Sequence, residues 1–346
     1  VTQSRATTRS AKSNADLNDL VAPTDATLFS EHEDDAPTIY IHGDPAAANF
    51  DPASPDSLAR GLEQAMAVLT IPDPYLGGTP VSALAAMADP VEEKMLHMVT
   101  PDPLRTPNFT FFGDPDFFFD SSTQPTFFCA DVPIDMNFVC IDNGFAWNHG
   151  DIQPEIGTTW LGFVGPGVKQ LGQTDAFFSD HTDQRPTMLF LTGLNDDYQD
   201  DGRVLLELVG TNGTSGDSLA HSQDRQGGGG EGHGQETLLR LGQAYKQINA
   251  PFGRLARITL KVSTHALQST STNDSTYKHL EAQLAALTVQ RDNLADQMKA
   301  VLEGVEFGAK RLDDGQAEFL IFQSDRLIEE AANLAGGDDG DGGESD

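Results

Sequence analysis

Residues 108–119 read NFTFFGDPDFFF. Two phenylalanine-rich runs flank Gly113-Asp114-Pro115, so this stretch predicts an aromatic strand that breaks at a turn. Elements of the same size lie on either side. TIYIHG (38–43) reads as a short buried strand. SPDSLARGLEQAMAVL (54–69) reads as a helix, with Ser54 or Asp56 as N-cap and apolar residues at helical spacing. PVEEKMLHMV (90–99) is a second short helix, and FVCI (138–141) and TWLGFVG (159–165) are further core elements. MLFLTGL (188–194) is more helical. Strands alternating with helices predict an α/β fold with a largely parallel sheet.

The outer parts of the chain differ in character. Residues 1–36 are polar and weakly patterned, and the first of them lack the apolar stretch of a signal peptide. The α/β region runs over 37–209, and glycine and polar residues dominate a linker at 210–236. A helical extension follows over 237–335, where Tyr277, Leu280, Leu284, Leu287, Leu294, Met298 and Val301 form one apolar stripe interrupted by polar Arg291. The pattern covers only about four heptads, which favours an antiparallel helical hairpin or bundle over a long coiled coil. Residues 336–346 are an acidic tail expected to be disordered.

The net charge is −32, from 53 acidic against 21 basic residues, only eight of them lysine. Binding to nucleic-acid backbones needs a concentrated basic surface, so nucleic acid is not expected as a backbone-binding partner. No apolar run approaches the roughly 18–20 residues that cross a bilayer, which excludes a helical membrane span. Two readings of the acidity stay open. One is a halophilic surface, where salt screens the self-repulsion. The other is an acidic enzyme with an acidic tail, although residues 336–346 supply only five of the charges. Cys129 and Cys140 either close a loop disulfide or are two buried thiols, and with no Cys or His partners nearby they make no zinc knuckle.

Two histidines stand at the edges of predicted core elements, where α/β proteins place their sites: His149 in WNHGD and His181 in FFSDHTDQRPTML. Neutral imidazole suits Zn²⁺, and Asp151, Asp180 and Asp183 are flanking carboxylates able to ligate or orient it. Taken alone, either histidine reads more readily as a solvated loop residue than as a ligand.

Between about 107 and 208 the order of motifs resembles the C-terminal half of the alkaline phosphatase superfamily, most closely its type I phosphodiesterase/nucleotide pyrophosphatase members. The segments that carry the resemblance are NFTFFGDPDFFF, the His-Gly turn at 148–150, TWLGFVGPGVKQLG, and SDHTDQRPTMLFLTGLNDDYQDDGRVL. The C-terminal helices resemble an extension seen in some bacterial members. The resemblance implies an alkaline-phosphatase-like, mostly parallel sheet flanked by helices. It also implies a metal-dependent phosphoesterase acting on a phosphate-ester small molecule at a site with two divalent ions, of the zinc type. In such a site a Thr or Ser nucleophile lies on one metal and attacks phosphorus, and both ions stabilise the attacking and leaving oxygens.

The implied metal ligands here are His149, His181 and Asp180. In one alignment Asn148-His149-Gly150 stands for an Asp-His-Gly pair and His181 is the late histidine. In the other His149 is itself the late ligand, directly followed by the Gly-Pro-Gly strand, and His181 lies at the rim. The resemblance further implies an N-terminal nucleophile motif, an Asp-x-x-Gly-His pair and an Asp-His-Gly pair. None of these three stands intact, so the expected chain is the C-terminal portion of the enzyme, inactive by itself. The alternative is a non-catalytic binding protein that keeps the fold without the chemistry. A periplasmic or extracellular location is implied by the resemblance alone, and the oligomeric state is open.

Overall fold

The structure is a computed structural model, which describes residues 12–15, 17, 28–32, 36–43, 57–114, 117–119, 140–142, 151–195, 198–210, 231–269, 274–308 and 310–334. It divides into two compact units, each assembled from separate stretches of chain. Residues 1–159, 259–284 and 335–346 belong to the first, and residues 160–258 and 285–334 to the second.

The first unit opens with strands β1 (Lys12–Ala15), β2 (Phe29–His32) and β3 (Thr38–Ile41). Helix α1 (Leu58–Ala67) follows, with Ser57 as its N-cap rather than Ser54 or Asp56, which lie outside the described residues. The Ser57 hydroxyl accepts from the Arg60 backbone N–H at 3.1 Å, satisfying one of the first-turn donors. A hairpin of β4 (Thr70–Asp73) and β5 (Thr79–Ser82) leads into β6 (Leu84–Ala88). Helix α2 (Pro90–Met95) is capped by Asp89 and carries proline in its first turn. It is shorter than the predicted 90–99, and His97 just beyond it sits at φ 60°.

The phenylalanine-rich stretch splits as its turn residues predict, into β7 (Phe109–Gly113) and β8 (Phe117–Phe119). The Phe117 N–H closes the turn on the Asp114 carbonyl at 2.9 Å. Strand β9 (Cys140–Asp142) overlaps the predicted 138–141, and the short helix α3 (Pro154–Gly157) follows.

The strand pairing overturns the mostly parallel sheet. The described strands form three small sheets, in the orders β2-β3-β7-β6, β8-β1-β9 and β4-β5. Every pairing is antiparallel except β1 with β8. The alternation of strands and helices is real and the α/β class stands. Strand direction, however, is set by partners far apart in the chain, such as Thr38 opposite Thr110, and periodicity carries no information about it. One core joins Phe29, Ile39, Leu62, Met66, Phe109, Phe111 and Phe119 with Leu267 and Tyr277.

The second unit begins with a correction. TWLGFVG is no core element: residues 158–164 have no helix or strand, and Trp160 and Val164 are 89% and 100% exposed. Gly165 and Gly167 adopt φ 153° and 83°, and the nearby pairing is a single antiparallel bridge from Val168 to Val209. Apolar strand formers stay irregular where no partner completes their ladder. Helix α4 (Gln184–Thr192) matches the helical reading of 188–194 and ends on left-handed Gly193.

Four long helices complete the chain: α5 (Glu231–Asn249), α6 (Arg254–Gln268), α7 (Asp274–Glu306) and α8 (Asp314–Leu334). Helix α5 starts inside the predicted linker, whose residues 211–230 lie outside the described residues, as does the acidic tail. Helices α5 and α8 run side by side in the same direction. Arg240 pairs with Glu318 at 2.7 Å, and the Ser324 hydroxyl donates to the Ala244 carbonyl at 3.3 Å. On α7 Tyr277, Leu284, Leu287, Leu294 and Met298 are buried as predicted, while Leu280 and Val301 are half-buried. Glu281, Thr288 and Arg291 lie buried among them. No helix among the described residues is long and apolar enough to cross a membrane.

Candidate functional site

The segment DHTDQRPT (180–187) enters α4 through one 3-10 turn, His181–Asp183. Asp180 caps this turn. Its Oδ1 accepts from the Thr182 backbone N–H at 2.9 Å and from the Thr182 hydroxyl at 2.6 Å. Asp183 answers with Oδ2, which accepts from the Asp180 N–H at 3.1 Å, so each carboxylate satisfies a backbone donor of the other. Asp183 Oδ1 accepts from the Arg203 N–H at 2.9 Å, and Thr187 Oγ1 from the Leu205 N–H at 2.9 Å. The turn and the 203–205 segment are thereby held together.

A lysine from α5 locks the arrangement. Lys246 is 1% exposed, and its Nζ lies 2.7 Å from Asp180 Oδ2 and 3.2 Å from Asp183 Oδ1. It also donates to Thr182 Oγ1 at 3.0 Å and to the Asp201 carbonyl at 3.1 Å. Burial alone would raise the Asp180 pKa. The Lys246 ammonium and the bonds from Thr182 outweigh it and hold the carboxylate below its ordinary range. Asp183 is buried more deeply and its pKa is raised despite Lys246. On the next turn Asn249 Nδ2 donates to Asp201 Oδ1 and to the Tyr245 hydroxyl, both at 3.0 Å. A second ionic layer lies behind, where the buried Arg203 guanidinium meets Glu207 through two bonds of 2.9 Å. Lys299 bonds the Gly202 carbonyl, and a Cβ on Gly202 would run into the Thr182 carbonyl, so glycine is required by close approach.

Glu306, at the end of α7, accepts from the Val204 N–H at 3.2 Å through Oε1, while its Oε2 is buried without a hydrogen-bond partner. Burial pushes its pKa up to about 8, against the pull of Lys299 and Arg203. An acid whose folded pKa exceeds its unfolded value keeps its proton in the fold, so its contribution to stability declines as pH rises between the two values. Glu306→Gln should therefore gain on the parent as pH rises from about 4.5 to about 8, then level off. Paired urea titrations across that range check this, and a stability difference independent of pH would refute it.

Among the sequence-predicted residues, Asp180 and His181 are adjacent on this turn, and Asp183 is its structural counterpart. His181 is exposed, and its ring makes no hydrogen bond or ion pair among the described residues. Asp180 is engaged through both oxygens. A catalytic zinc needs three protein ligands, and the described residues present one open donor of that set, His181. His149 and Cys129 lie outside the described residues. Asp151 is buried in the first unit, where Oδ1 accepts from the Ile152 N–H at 2.7 Å.

Sequence reasoning missed Lys246. Its signal is a lysine within the buried run Leu241, Ala244, Tyr245 and Ile248 of α5. It also missed Asp89, Glu92 and Glu281 of the first unit, the group of three among the described residues whose donor atoms lie close enough to hold a metal ion. Compared with known proteins, no family model matches the chain, and no curated protein or solved structure matches it.

Proposed function

We propose that residues 107–208 carry the late metal-ligand segment of a metal-dependent phosphoester hydrolase acting on a phosphate-ester small molecule. What supports this reading is the use made of the His181 turn. Buried Lys246, Asp183 and Arg203 are costly groups to desolvate, and together with half-buried Asp180 they fix one short turn whose open donor is an imidazole. An exposed imidazole carried on a fixed turn is a donor that a zinc ion can reach from solvent. The motif order from His149 to Thr187 adds to it by resemblance. In this reading His181 would be a ligand and Asp180 would join it by exchanging Lys246 for the metal, while His149 is implied as a ligand by the resemblance alone. Zinc, when bound, polarises a phosphoryl oxygen. His181 binds and orients, and Asp183 and Thr187 hold the turn in place.

The test is a Zn²⁺ titration in competition with a chromophoric chelator. His181→Ala and His149→Ala should each weaken binding by roughly tenfold or more, with helical content unchanged. Unaltered affinity in both variants overturns the reading. Residues 1–346 alone should hydrolyse bis-p-nitrophenyl phosphate only at background, because no nucleophile motif accompanies these ligands. Metal-dependent turnover that survives His181→Ala would likewise overturn it.

A further inference from the structure

The first unit buries a cluster of carboxylates that the hydrolase reading does not use. Asp89 caps α2, its Oδ1 accepting from the Val91 N–H at 2.8 Å, while Oδ2 accepts from the Tyr277 hydroxyl at 2.9 Å. Glu281 stands four residues beyond Tyr277 on α7, so both side chains share one helix face. Glu92 follows Asp89 by three residues and turns inward with it. One carboxylate oxygen from each of Asp89, Glu92 and Glu281 lies within 4.8 Å of the others.

A second observation points to a ligand. Glu92 is 1% exposed and Glu281 9%, yet neither oxygen of either residue has a hydrogen-bond partner. Nearby, Glu63 and Glu93 are fully buried, each with one further oxygen unpartnered. The remaining oxygens are used, since Arg60 Nη1 meets Glu63 Oε2 at 2.9 Å and the Thr110 hydroxyl donates to Glu93 Oε1 at 3.0 Å. Arg60 is placed against this cluster, its guanidinium divided between Glu63 and Asp274 (2.7 Å) and lying over the Tyr277 ring. A single guanidinium does not balance Glu63, Asp89, Glu92, Glu93 and Glu281. Buried carboxylates left open in this way either share protons or hold a cation.

We propose that Asp89, Glu92 and Glu281 form a buried site for a hard divalent cation of the Ca²⁺ class. The donor set is all oxygen, without imidazole or thiolate, which selects hard cations over zinc. No two of these oxygens lie more than 4.8 Å apart, so a single ion can reach all three. A buried cage of protein oxygens suits Ca²⁺, whereas Mg²⁺ usually keeps several of its waters. Both oxygens of Glu92 and of Glu281 are open, so each is able to bind in bidentate fashion. Burial and mutual repulsion raise the pKa of Glu92, and that of Glu281 to about 10. Entry of the ion therefore displaces protons that otherwise hold the cluster together. The site joins α2 to α7 and stands independently of the hydrolase reading.

Tyr277 supplies a local probe, because its ring sits beside Asp89 and can sensitise Tb³⁺ emission from the site. The full chain, stripped with chelator, is titrated with Tb³⁺ under tyrosine excitation and then with competing Ca²⁺. One ion per chain should give emission that Ca²⁺ displaces, that His181→Ala leaves intact, and that Glu92→Gln abolishes. Tyr277→Phe should lose the emission while calorimetry still detects Ca²⁺ binding. Asp89→Asn should also abolish binding, so the result does not hang on one variant. Tb³⁺ and Ca²⁺ bound equally by the parent and by Glu92→Gln would assign the binding to exposed acidic groups of this −32 chain. No stoichiometric binding would show that protons hold the cluster. Either result overturns the proposal.

Discussion

Lys246→Met should destabilise the protein by about 3–5 kcal/mol, the usual result of removing one partner from a buried ion pair. Methionine replaces the aliphatic stem of Lys246 closely, so little packing is lost. What remains is Asp183, fully buried, and Asp180, largely buried, with Oδ2 of Asp180 and Oδ1 of Asp183 deprived of the ammonium that neutralised them. The Thr182 hydroxyl and the Asp201 carbonyl lose a donor in the same step. The pair is shielded from solvent, so added salt should recover little of the loss. Urea unfolding of parent and variant, at low and at high KCl, measures it. A loss under about 1 kcal/mol, the worth of an exposed pair, would mean that Lys246 is not buried as the structure places it. His181 should also become mobile on its loosened turn, which its imidazole NMR line widths would report.

The second large effect is expected in the first unit. Phe111→Ala should cost about 3–5 kcal/mol, the range for deleting a large buried aromatic side chain. Phe111 is fully buried on β7, which lies between β3 and β6, and meets the Phe119 ring edge-on at 5.0 Å and 73°. The cavity cannot readily collapse, because the Phe119 ring also lies where a Cβ on Gly113 would stand. Phe111→Leu, which keeps much of the apolar volume, should be milder. Equal denaturation midpoints for Phe111→Ala and the parent would show that this core is not packed around β7.

How much of this was legible in the sequence follows from the range of the forces involved. The break at Gly113-Asp114-Pro115, the strand at Thr38–Ile41 and helix α4 ending at Gly193 depend on interactions within a few residues, and periodicity and turn chemistry report them directly. Asp180 and His181 stand out in the sequence only by their place before an apolar helix. Their detailed roles were not legible, since a capping carboxylate and a ligand carboxylate look alike in sequence. Lys246 was invisible as a partner because 66 residues of chain separate it from Asp180. Arg291 announced itself only as a polar interruption of the α7 stripe, and Glu281 not at all.

By itself, then, the sequence determined the class of the fold, the places of β3, β7, β8, β9, α1, α2 and α4, and the excess of acid over base. Tertiary structure alone decided that the strands pair mainly antiparallel, that 158–164 lies exposed, and that Asp89, Glu92 and Glu281 converge. The reason is physical: backbone propensity and capping act locally, whereas ladder pairing, desolvation and the balance of buried charge arise only when distant segments exclude water together.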